Sequence, residues 1–217
     1  MRIEWLGHSC FKIENDESRV IITDPFCAET GIKVPDKPYA DVVTVSHHHG
    51  DHDNISVIGG NFIVIEGEGN HSVCGIDIKG ITLCHDKEKG TKRGKNIVFV
   101  YDIDGIKLCH MGDIGEECTS EIIDKLGEVD VLMLPVGGTY TVDAVEAKAY
   151  VDALRPSVVI PMHYKSRGCV YDIQTAEPFL DLCDKNCIEY RSDGVLLLKK
   201  QEINNGKTRV IVFSSEG

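Results

Sequence analysis

The sequence lacks any long hydrophobic run. No stretch of its 217 residues approaches the roughly 18 consecutive apolar residues that a membrane-spanning helix requires. The start of the chain also lacks the basic residues and apolar segment of a signal peptide. Hydrophobic residues nevertheless make up 42% of the chain, enough to bury a sizeable core. Since this length is ordinary for one domain, we expect a single cytoplasmic domain over residues 1–217, without membrane association.

Cysteine pairs of the Cys-x-x-Cys type are also missing. The nine cysteines are odd in number and irregularly spaced, which argues against a disulfide framework. Several lie inside apolar runs, where a thiol behaves as a small hydrophobic group. We therefore expect free thiols in a reducing compartment.

Positive charge is scarce. The chain has 23 lysines and arginines against 35 acidic residues, so its formal net charge is −12. Nucleic acids and membrane surfaces are anionic, and an acidic protein is repelled by both. We therefore expect neither a membrane nor a nucleic acid as a partner. Association into a homo-oligomer is left open.

The most informative stretch is a histidine-rich loop, His47-His48-His49-Gly50-Asp51-His52, which follows the apolar run 42–46. A run of this kind predicts a buried strand. Imidazole and carboxylate groups ligate zinc, iron or manganese, and Gly50 permits a turn between the two halves of the loop. The loop could therefore serve two metal ions, with His48 pointing away from them. The alternative is a histidine-rich surface loop without a metal.

Other potential ligands each follow an apolar run. His85 follows 81–84, His110 and Asp113 follow 106–109, and His163 follows 158–162. Taken singly, each of these histidines would more often be structural or solvated than a ligand. Their shared position at predicted strand ends favours a common site instead. Together with the loop, they supply enough ligands for two metal ions.

At this point the chain resembles the metallo-β-lactamase superfamily, whose hallmark is His-x-His-x-Asp-His followed by single His, Asp and His ligands. The residues that match are His47, His49, Asp51, His52, His85, Asp113 and His163. A narrower likeness, to the small stand-alone hydrolases of the ascorbate-6-phosphate lactonase branch, rests on three segments. These are Trp5-Leu6-Gly7-His8-Ser9-Cys10-Phe11, Thr23-Asp24-Pro25-Phe26 and His110-x-Gly112-Asp113.

The resemblance implies an α/β fold, the four-layer αββα sandwich, with two metal ions along one edge of its two sheets. In that arrangement one ion is held by His47, His49 and His85, the other by Asp51, His52 and His163, and Asp113 bridges them. Zinc is the expected metal, with manganese or iron as alternatives. A metal-bridging hydroxide would attack an ester, lactone or phosphodiester. The diiron oxygen-reducing branch typically has a glutamate where this chain has His49, and this difference favours hydrolysis.

Further residues are expected around the metals. Asp51 and His8 are assigned to catalysis, His8 as a donor to an oxyanion or a leaving group, although a plain turn histidine would look the same. Asp24 is expected to brace the metal loop, although a plain turn aspartate is the alternative. His110 could compete with His85 for the first metal. We prefer His85 and expect His110 to orient a ligand by hydrogen bonding.

Clusters of positive charge flank two of the presumed ligands. Loop 87–95 after His85 contains five lysines and arginines, and further cations lie near His163. We expect Lys92, Arg93 and Lys165 to bind a small anionic substrate. Two glycines in the loop would let it move as a flap over the site. The alternative is a solvated hairpin tip.

Two classes of function are compatible with the sequence. The leading one is a binuclear metal-dependent hydrolase acting on a small, anionic ester, lactone or phosphodiester. The runner-up is a non-hydrolytic metal-binding or sensor protein on the same fold. Turnover by the metal-loaded protein would distinguish them.

Apolar periodicity predicts two β-rich halves, with helices late in the chain. The predicted strands are 3–6, 10–14, 19–23, 42–45, 61–65, 73–78, 81–84, 96–101, 106–109, 129–134, 195–199 and 209–213. The predicted helices are 120–126, 143–154 and 176–185.

Overall fold

Two β-sheets and three α-helices make up the described part of the chain. The computed structural model describes residues 1–203 and 206–213, and the mixed α/β fold expected from the sequence is confirmed. The strands are β1 (Arg2–Gly7), β2 (Cys10–Glu14), β3 (Val20–Thr23), β4 (Val42–Thr44), β5 (Ile63–Ile65), β6 (Gly69–Val73), β7 (Ile76–Cys84), β8 (Lys95–Ile103), β9 (Ile106–His110), β10 (Val131–Pro135), β11 (Val158–Met162), β12 (Ile188–Arg191), β13 (Val195–Leu197) and β14 (Arg209–Phe213). The helices are α1 (Ser120–Leu126), α2 (Ala144–Leu154) and α3 (Glu177–Leu180).

At one edge of each sheet, the carboxyl ends of several strands lie side by side. The first sheet has the order β13-β1-β2-β3-β4-β5, and β1 points with β3 because β2 is antiparallel to both. The second has the order β12-β14-β11-β10-β9-β8-β7-β6, and β7 points with β9 because β8 is antiparallel to both. The segments after β1, β3, β4, β7, β9 and β11 therefore emerge at corresponding edges. These segments carry all of the predicted metal ligands.

Strand β10 shows how the layers pack. Side chains alternate along a strand, so Val131 and Met133 face the core between the two sheets. Leu132 and Leu134 face the opposite way, into the core beneath the helices. All five residues of β10 are buried, as expected for a parallel strand covered on both faces. The loops at its end are therefore anchored in a rigid scaffold.

The two outer layers differ. All three helices share a hydrophobic core with the second sheet. The outer face of the first sheet is covered by loops and 3-10 turns, through side chains such as Phe26 and Ile58. The longest described helix, α2, has 11 residues. Within residues 1–203 and 206–213, no helix has the length and hydrophobicity needed to cross a membrane.

Helix α2 begins as its sequence predicts. The Asp143 carboxylate accepts hydrogen bonds from the N–H groups of Val145 and Glu146, and the Glu146 carboxylate accepts one from the Asp143 N–H. This reciprocal capping box satisfies backbone donors that a helix start leaves free. The helix ends at Leu154, and its C-cap residue Arg155 has a left-handed backbone conformation and precedes Pro156.

Two predicted elements are wrong in extent. The predicted strand 73–78 is interrupted by a tight turn, because Cys74 and Gly75 both have positive φ and join β6 to β7. The predicted helix 176–185 ends at Leu180, after which the next hydrogen bonds have the shorter 3-10 spacing. Leu182, which lies just after Leu180, is 44% exposed, so little burial of apolar surface stabilises a longer helix.

Strand β12 was not predicted from the sequence, and β6 overlaps the predicted strand 73–78 only at Val73. Both are sheet edges rich in polar residues, Gly-Asn-His-Ser-Val and Ile-Glu-Tyr-Arg, with few buried positions. An edge strand needs no continuous apolar run, because only one side of it pairs with the sheet.

Candidate metal centre

The predicted ligands converge at the shared strand edge. Three overlapping groups each have ligand atoms within 4.8 Å of one another, and all lie among the described residues. The groups are His47, His49 and His85; His47, His52 and Asp113; and His8, Asp51, His52 and His163. They come from the ends of β1, β4, β7, β9 and β11. Segments distant in sequence thus build one cluster.

Asp113 lies at the centre of this cluster. Its Oδ2 atom is 3.1 Å from His163 Nε2 and 3.3 Å from His85 Nε2. Its Oδ1 atom is 3.3 Å from His52 Nε2. His47 Nε2 lies slightly further away, at 3.9 Å from Oδ2. The Asp113 carboxylate therefore lies close to histidines from both predicted ligand sets.

Unpartnered buried atoms test whether a metal fits here. His47 Nε2, His52 Nε2, His85 Nε2 and Asp113 Oδ1 are all buried without a hydrogen-bond partner. Buried polar atoms are normally satisfied, so a group of unsatisfied atoms in one place calls for a missing partner. Imidazole nitrogen and carboxylate oxygen are ligands for zinc, manganese and iron. The donor set therefore fits divalent transition metals.

The protonation states mostly suit metal binding. Burial and the neighbouring His52 lower the pKa of His47 to about 3, and burial lowers the pKa of His49. Burial alone would raise the pKa of Asp113, but His163 and His52 hold it well below its usual value. For His52, burial opposes protonation, yet Asp113 and Asp24 raise its pKa. A metal at His52 must therefore displace a proton.

Asp24 orients two of the histidines, one directly and one through Ser46. Its Oδ2 accepts a hydrogen bond from His52 Nδ1–H at 2.8 Å and from the Ser46 hydroxyl at 2.6 Å, while Oδ1 accepts from the Ser46 N–H at 2.8 Å. Since the Ser46 proton goes to Asp24, Ser46 Oγ accepts from His47 Nδ1–H at 2.9 Å. Both imidazoles then turn Nε2 toward the cluster. The structure thus places Asp24 behind the loop, where the sequence predicted a brace.

Asn96 anchors the backbone that carries Asp113. Its side-chain oxygen accepts a hydrogen bond from the Asp113 N–H at 2.8 Å, and its amide donates to the Met111 carbonyl at 2.9 Å. Gly112, between them, has a φ of +54°, and a Cβ there would lie 2.3 Å from Asn96 Oδ1. Only glycine fits this position without displacement. Asn96 and Ser46 were missed from the sequence; their one signal is a polar residue bordering an apolar run.

His85 and His110 occupy different environments. His110 Nε2–H donates to the Ser9 carbonyl at 2.9 Å, and His110 Nδ1 accepts from the Gly112 N–H at 3.2 Å. Neither nitrogen is left for a metal. Both nitrogens of His85 lack a hydrogen-bond partner, and its Nε2 faces Asp113. The structure therefore brings His85 into the cluster and leaves His110 behind it, where it holds the backbone next to Asp113.

His8 lies within the cluster and has no exposed surface. Its Nε2 is 3.3 Å from Asp51 Oδ2, and its ring lies 4.2 Å from that of His163. Burial and the nearby His163 lower the pKa of His8 to about 4. This placement fits a group that positions Asp51; the expected proton donation to a substrate stays a prediction. His48, by contrast, is exposed and outside all three groups.

The three predicted substrate-binding cations differ in the partners that their side chains already have. Lys92 forms an ion pair with Glu88, and the Lys165 ammonium donates to the Tyr171 carbonyl. The Arg93 guanidinium lies 4.3 Å from the centre of the Tyr140 ring and has no carboxylate partner in the described part of the chain. Arg93 is therefore the cation most available to an anion.

The loop that carries Lys92 and Arg93 is folded around one carboxylate. Asp86 accepts hydrogen bonds from the N–H groups of residues 88, 90, 92 and 93, and the Gly94 N–H donates to the Gly90 carbonyl. These bonds hold the loop together internally, and its movement as a flap over the site stays a prediction.

Comparisons with known proteins agree with this geometry. The sequence profile of the β-lactamase superfamily domain matches residues 2–163. The UPF0173 metal-dependent hydrolase of Methanopyrus kandleri is 31% identical, over 76% of this chain and 84% of that protein. The corresponding protein of Thermoplasma acidophilum is 30% identical, over 82% of this chain and 88% of that one.

Solved structures extend the similarity to the whole fold. A crystal structure from Thermotoga maritima, described as a candidate Zn-dependent hydrolase of the metallo-β-lactamase superfamily, has a TM-score of 0.79 at 38% identity. The alignment covers 98% of this chain and 99% of the Thermotoga maritima protein. Igni18, a metallo hydrolase of Ignicoccus hospitalis, has a TM-score of 0.59 at 25% identity, over 76% of this chain and 82% of that one. The likeness to the ascorbate-6-phosphate lactonase branch stays a prediction. The chain itself belongs to the β-lactamase superfamily, among its stand-alone metal-dependent hydrolases.

Proposed function

We propose that this metal-dependent hydrolase uses two divalent ions, of which zinc is the first choice, to cleave a small anionic ester, lactone or phosphodiester. The observation that carries the proposal is the set of unpartnered, buried imidazole and carboxylate atoms around Asp113. One ion supported by three histidines would leave the second group without a role. Manganese and iron accept the same nitrogen and oxygen ligands and are the alternatives.

The residues divide naturally between two positions. One ion would be held by His47, His49 and His85, and the other by Asp51, His52 and His163. Asp113 would serve both, because its carboxylate lies close to histidines from both sets. When bound, such a pair of ions supplies Lewis-acid chemistry, lowering the pKa of water and polarising the electrophile.

The protein's own contribution is to fix the ligands before substrate arrives. Asp24 and Ser46 hold the Nδ1 protons of His52 and His47, so each Nε2 lone pair faces the cluster. His8 lies against the Asp51 carboxylate and limits its rotation. Preorganised ligands need not reorganise during the reaction, which is a main source of enzymatic rate acceleration.

The expected charge of the substrate rests on Arg93. The protein is acidic overall, and its exposed ion pairs add little stability, typically about 0–1 kcal/mol each. The Arg93 guanidinium lies over the Tyr140 ring without a carboxylate partner among the described residues, and we assign it to ligand binding, since a guanidinium recognises carboxylate or phosphate in a fork geometry. Lys92 and Lys165 would contribute only if they leave their present partners.

Metal analysis combined with a small substrate panel tests the proposal. Protein purified without chelators should contain about two metal ions per chain, by the two-metal pattern. The panel is bis(4-nitrophenyl) phosphate, 4-nitrophenyl acetate and γ-butyrolactone. At least one should be turned over, and activity should disappear with chelation and return with zinc.

His48→Ala is the matched control, because His48 lies in the same loop but outside the ligand groups. It should retain both ions and parental rates. A stoichiometry of one ion, unchanged by reconstitution, would refute the two-metal proposal. Two bound ions without turnover of any substrate would favour the metal-binding or sensor alternative.

A further inference from the structure

Three side chains from different loops form a row that leads from the metal centre to the surface. The Tyr171 ring lies 5.9 Å from the His8 ring, and the Tyr140 ring lies 6.4 Å from Tyr171 in an edge-to-face arrangement. The Arg93 guanidinium then covers the Tyr140 ring at 4.3 Å. We call Arg93, Tyr140 and Tyr171 the aromatic wall. None of its tyrosines is a metal ligand, and neither was singled out by the sequence.

The loops that carry the wall are held together before any ligand binds. Gln174 N–H donates to the Gly137 carbonyl at 2.8 Å, and Gly137 N–H donates to the His163 carbonyl at 3.2 Å, joining the loops of Tyr140 and Tyr171. A Cβ on Gly137 would lie 2.2 Å from the His163 oxygen, so these loops are in close contact. The Arg93 N–H is fixed by Asp86 at 2.7 Å. The wall is therefore preorganised, which reduces the entropy lost on binding.

The chemistry of the wall changes along its length. At the inner end, the half-buried Tyr171 ring presents aromatic surface beside His8 and the metal ligands. At the outer end, Arg93 presents a positive charge with no carboxylate partner among the described residues. Aromatic rings favour flat, π-bearing partners through offset or edge contacts. A guanidinium favours a carboxylate or phosphate.

We propose that the aromatic wall selects substrates that carry a flat, unsaturated segment between the cleaved group and a distal anionic group. The cleaved group lies at the metal centre, the flat segment lies against Tyr171 and Tyr140, and the anion pairs with Arg93. This inference rests on the proposed function and makes its substrate class more specific. The wall residues are specificity-determining rather than catalytic, since they lie beside the ligands and not among them.

Binding of four non-hydrolysable carboxylates to the zinc-loaded protein tests the wall without relying on turnover. The set is biphenyl-4,4′-dicarboxylate, biphenyl-4-carboxylate, bicyclohexyl-4,4′-dicarboxylate and bicyclohexyl-4-carboxylate. It varies flatness and distal charge independently, while every member offers one carboxylate to the metals. Dissociation constants are measured by isothermal titration calorimetry. The flat dicarboxylate should bind about tenfold more tightly than biphenyl-4-carboxylate, the size of one charge-assisted contact. It should bind about three- to tenfold more tightly than bicyclohexyl-4,4′-dicarboxylate, the size of an aromatic contact.

Variants should remove the two preferences separately. Arg93→Gln should abolish the preference for the second carboxylate and leave the preference for flat rings. Tyr140→Leu and Tyr171→Leu should each reduce the preference for flat rings by about threefold, whereas Tyr171→Phe should bind like the parent because it keeps the ring. The controls are Arg2→Gln and Tyr190→Leu, exposed residues that do not contact the wall. Zinc content and thermal unfolding are measured for every variant.

The outcomes separate this inference from the function on which it rests. Three results would each refute the proposed role of the aromatic wall. They are equal affinity for all four compounds, no binding by any of them, and wall variants that bind like their controls. A Tyr171→Phe variant as weak as Tyr171→Leu would also overturn it, because the hydroxyl rather than the ring would then be responsible. The expected binding pattern without turnover of any ester would support the wall and refute only the reaction class.

Discussion

Asp24→Asn is the sharpest test of how the protein prepares its ligands. Oδ2 of Asp24 accepts two hydrogen bonds, from His52 Nδ1–H at 2.8 Å and from the Ser46 hydroxyl at 2.6 Å. Oδ1 accepts the Ser46 N–H at 2.8 Å. An asparagine keeps the shape but offers only one acceptor oxygen. If that oxygen stays on the Ser46 N–H, the amide NH2 faces two donors.

The conflict is relieved when His52 changes its tautomer. His52 Nδ1 would then give up its proton and accept from the amide, and the remaining proton would be held on Nε2, which faces Asp113. A protonated Nε2 cannot bind a metal. Loss of a hydrogen bond to a charged group costs about 1.5–3 kcal/mol. This corresponds to a loss of about 10–100-fold in affinity, matching the usual effect of removing a residue that orients a metal ligand.

The assay is zinc titration of the metal-free protein against a competing chelator, with the His52 tautomer followed by nitrogen NMR. The weaker of the two zinc affinities should fall by about 10–100-fold, and Nδ1 of His52 should lose its proton in the metal-free variant. Asp53→Asn is the control, because Asp53 pairs only with the exposed His48 at 3.5 Å and should leave both affinities unchanged. Affinities within threefold of the parent, with an unchanged tautomer, would refute the reasoning.

Three further predictions concern other contacts among the described residues. His85→Ala should lose one metal ion and most activity. His110→Ala should keep its metal content, because losing an indirect contact lowers metal affinity by only about 10–100-fold. Elemental analysis that gives the reverse result would exchange their roles. Gly112→Ala should destabilise the protein by about 1–3 kcal/mol or more, because it combines positive φ with a 2.3 Å contact, and thermal unfolding equal to the parent would contradict this. Hydrogen bonds from Arg209 lower the pKa of Glu189, so this pair contributes stability above the unfolded-state pKa that is lost as pH falls through the folded-state value. Glu189→Gln should therefore reduce the loss of unfolding free energy below about pH 4.5. The reduction should not exceed about 1 kcal/mol, because the carboxylate is partly exposed. An unchanged pH dependence would show that the pair contributes nothing to stability.

Much of the fold follows from local pattern. Helix Ser120–Leu126 and strands Cys10–Glu14 and Arg209–Phe213 have the predicted bounds, because the apolar pattern that defines each of them lies within the segment itself. The break at Cys74–Gly75 and the early end of α3 were not predicted. Both depend on how much surface is buried against other elements, which local sequence does not encode.

The sequence by itself determined the chemistry of the protein: which residue types could bind metals, and that each follows a strand. Spacing within one loop was enough for His47, His49, Asp51 and His52, because neighbouring residues have little freedom to separate. Only the tertiary structure distinguishes the surroundings of His85 and His110, since these depend on which nitrogens the Ser9 carbonyl and the Gly112 N–H already occupy.

The same holds for Ser46, Asn96 and the aromatic wall. Their partners lie tens of residues away in sequence, and they meet only because strands of two sheets present their carboxyl ends at one edge. Side-chain contacts between such loops depend on the packing of the whole sandwich. Tertiary structure therefore decided which of the candidate ligands are oriented, and by which residues.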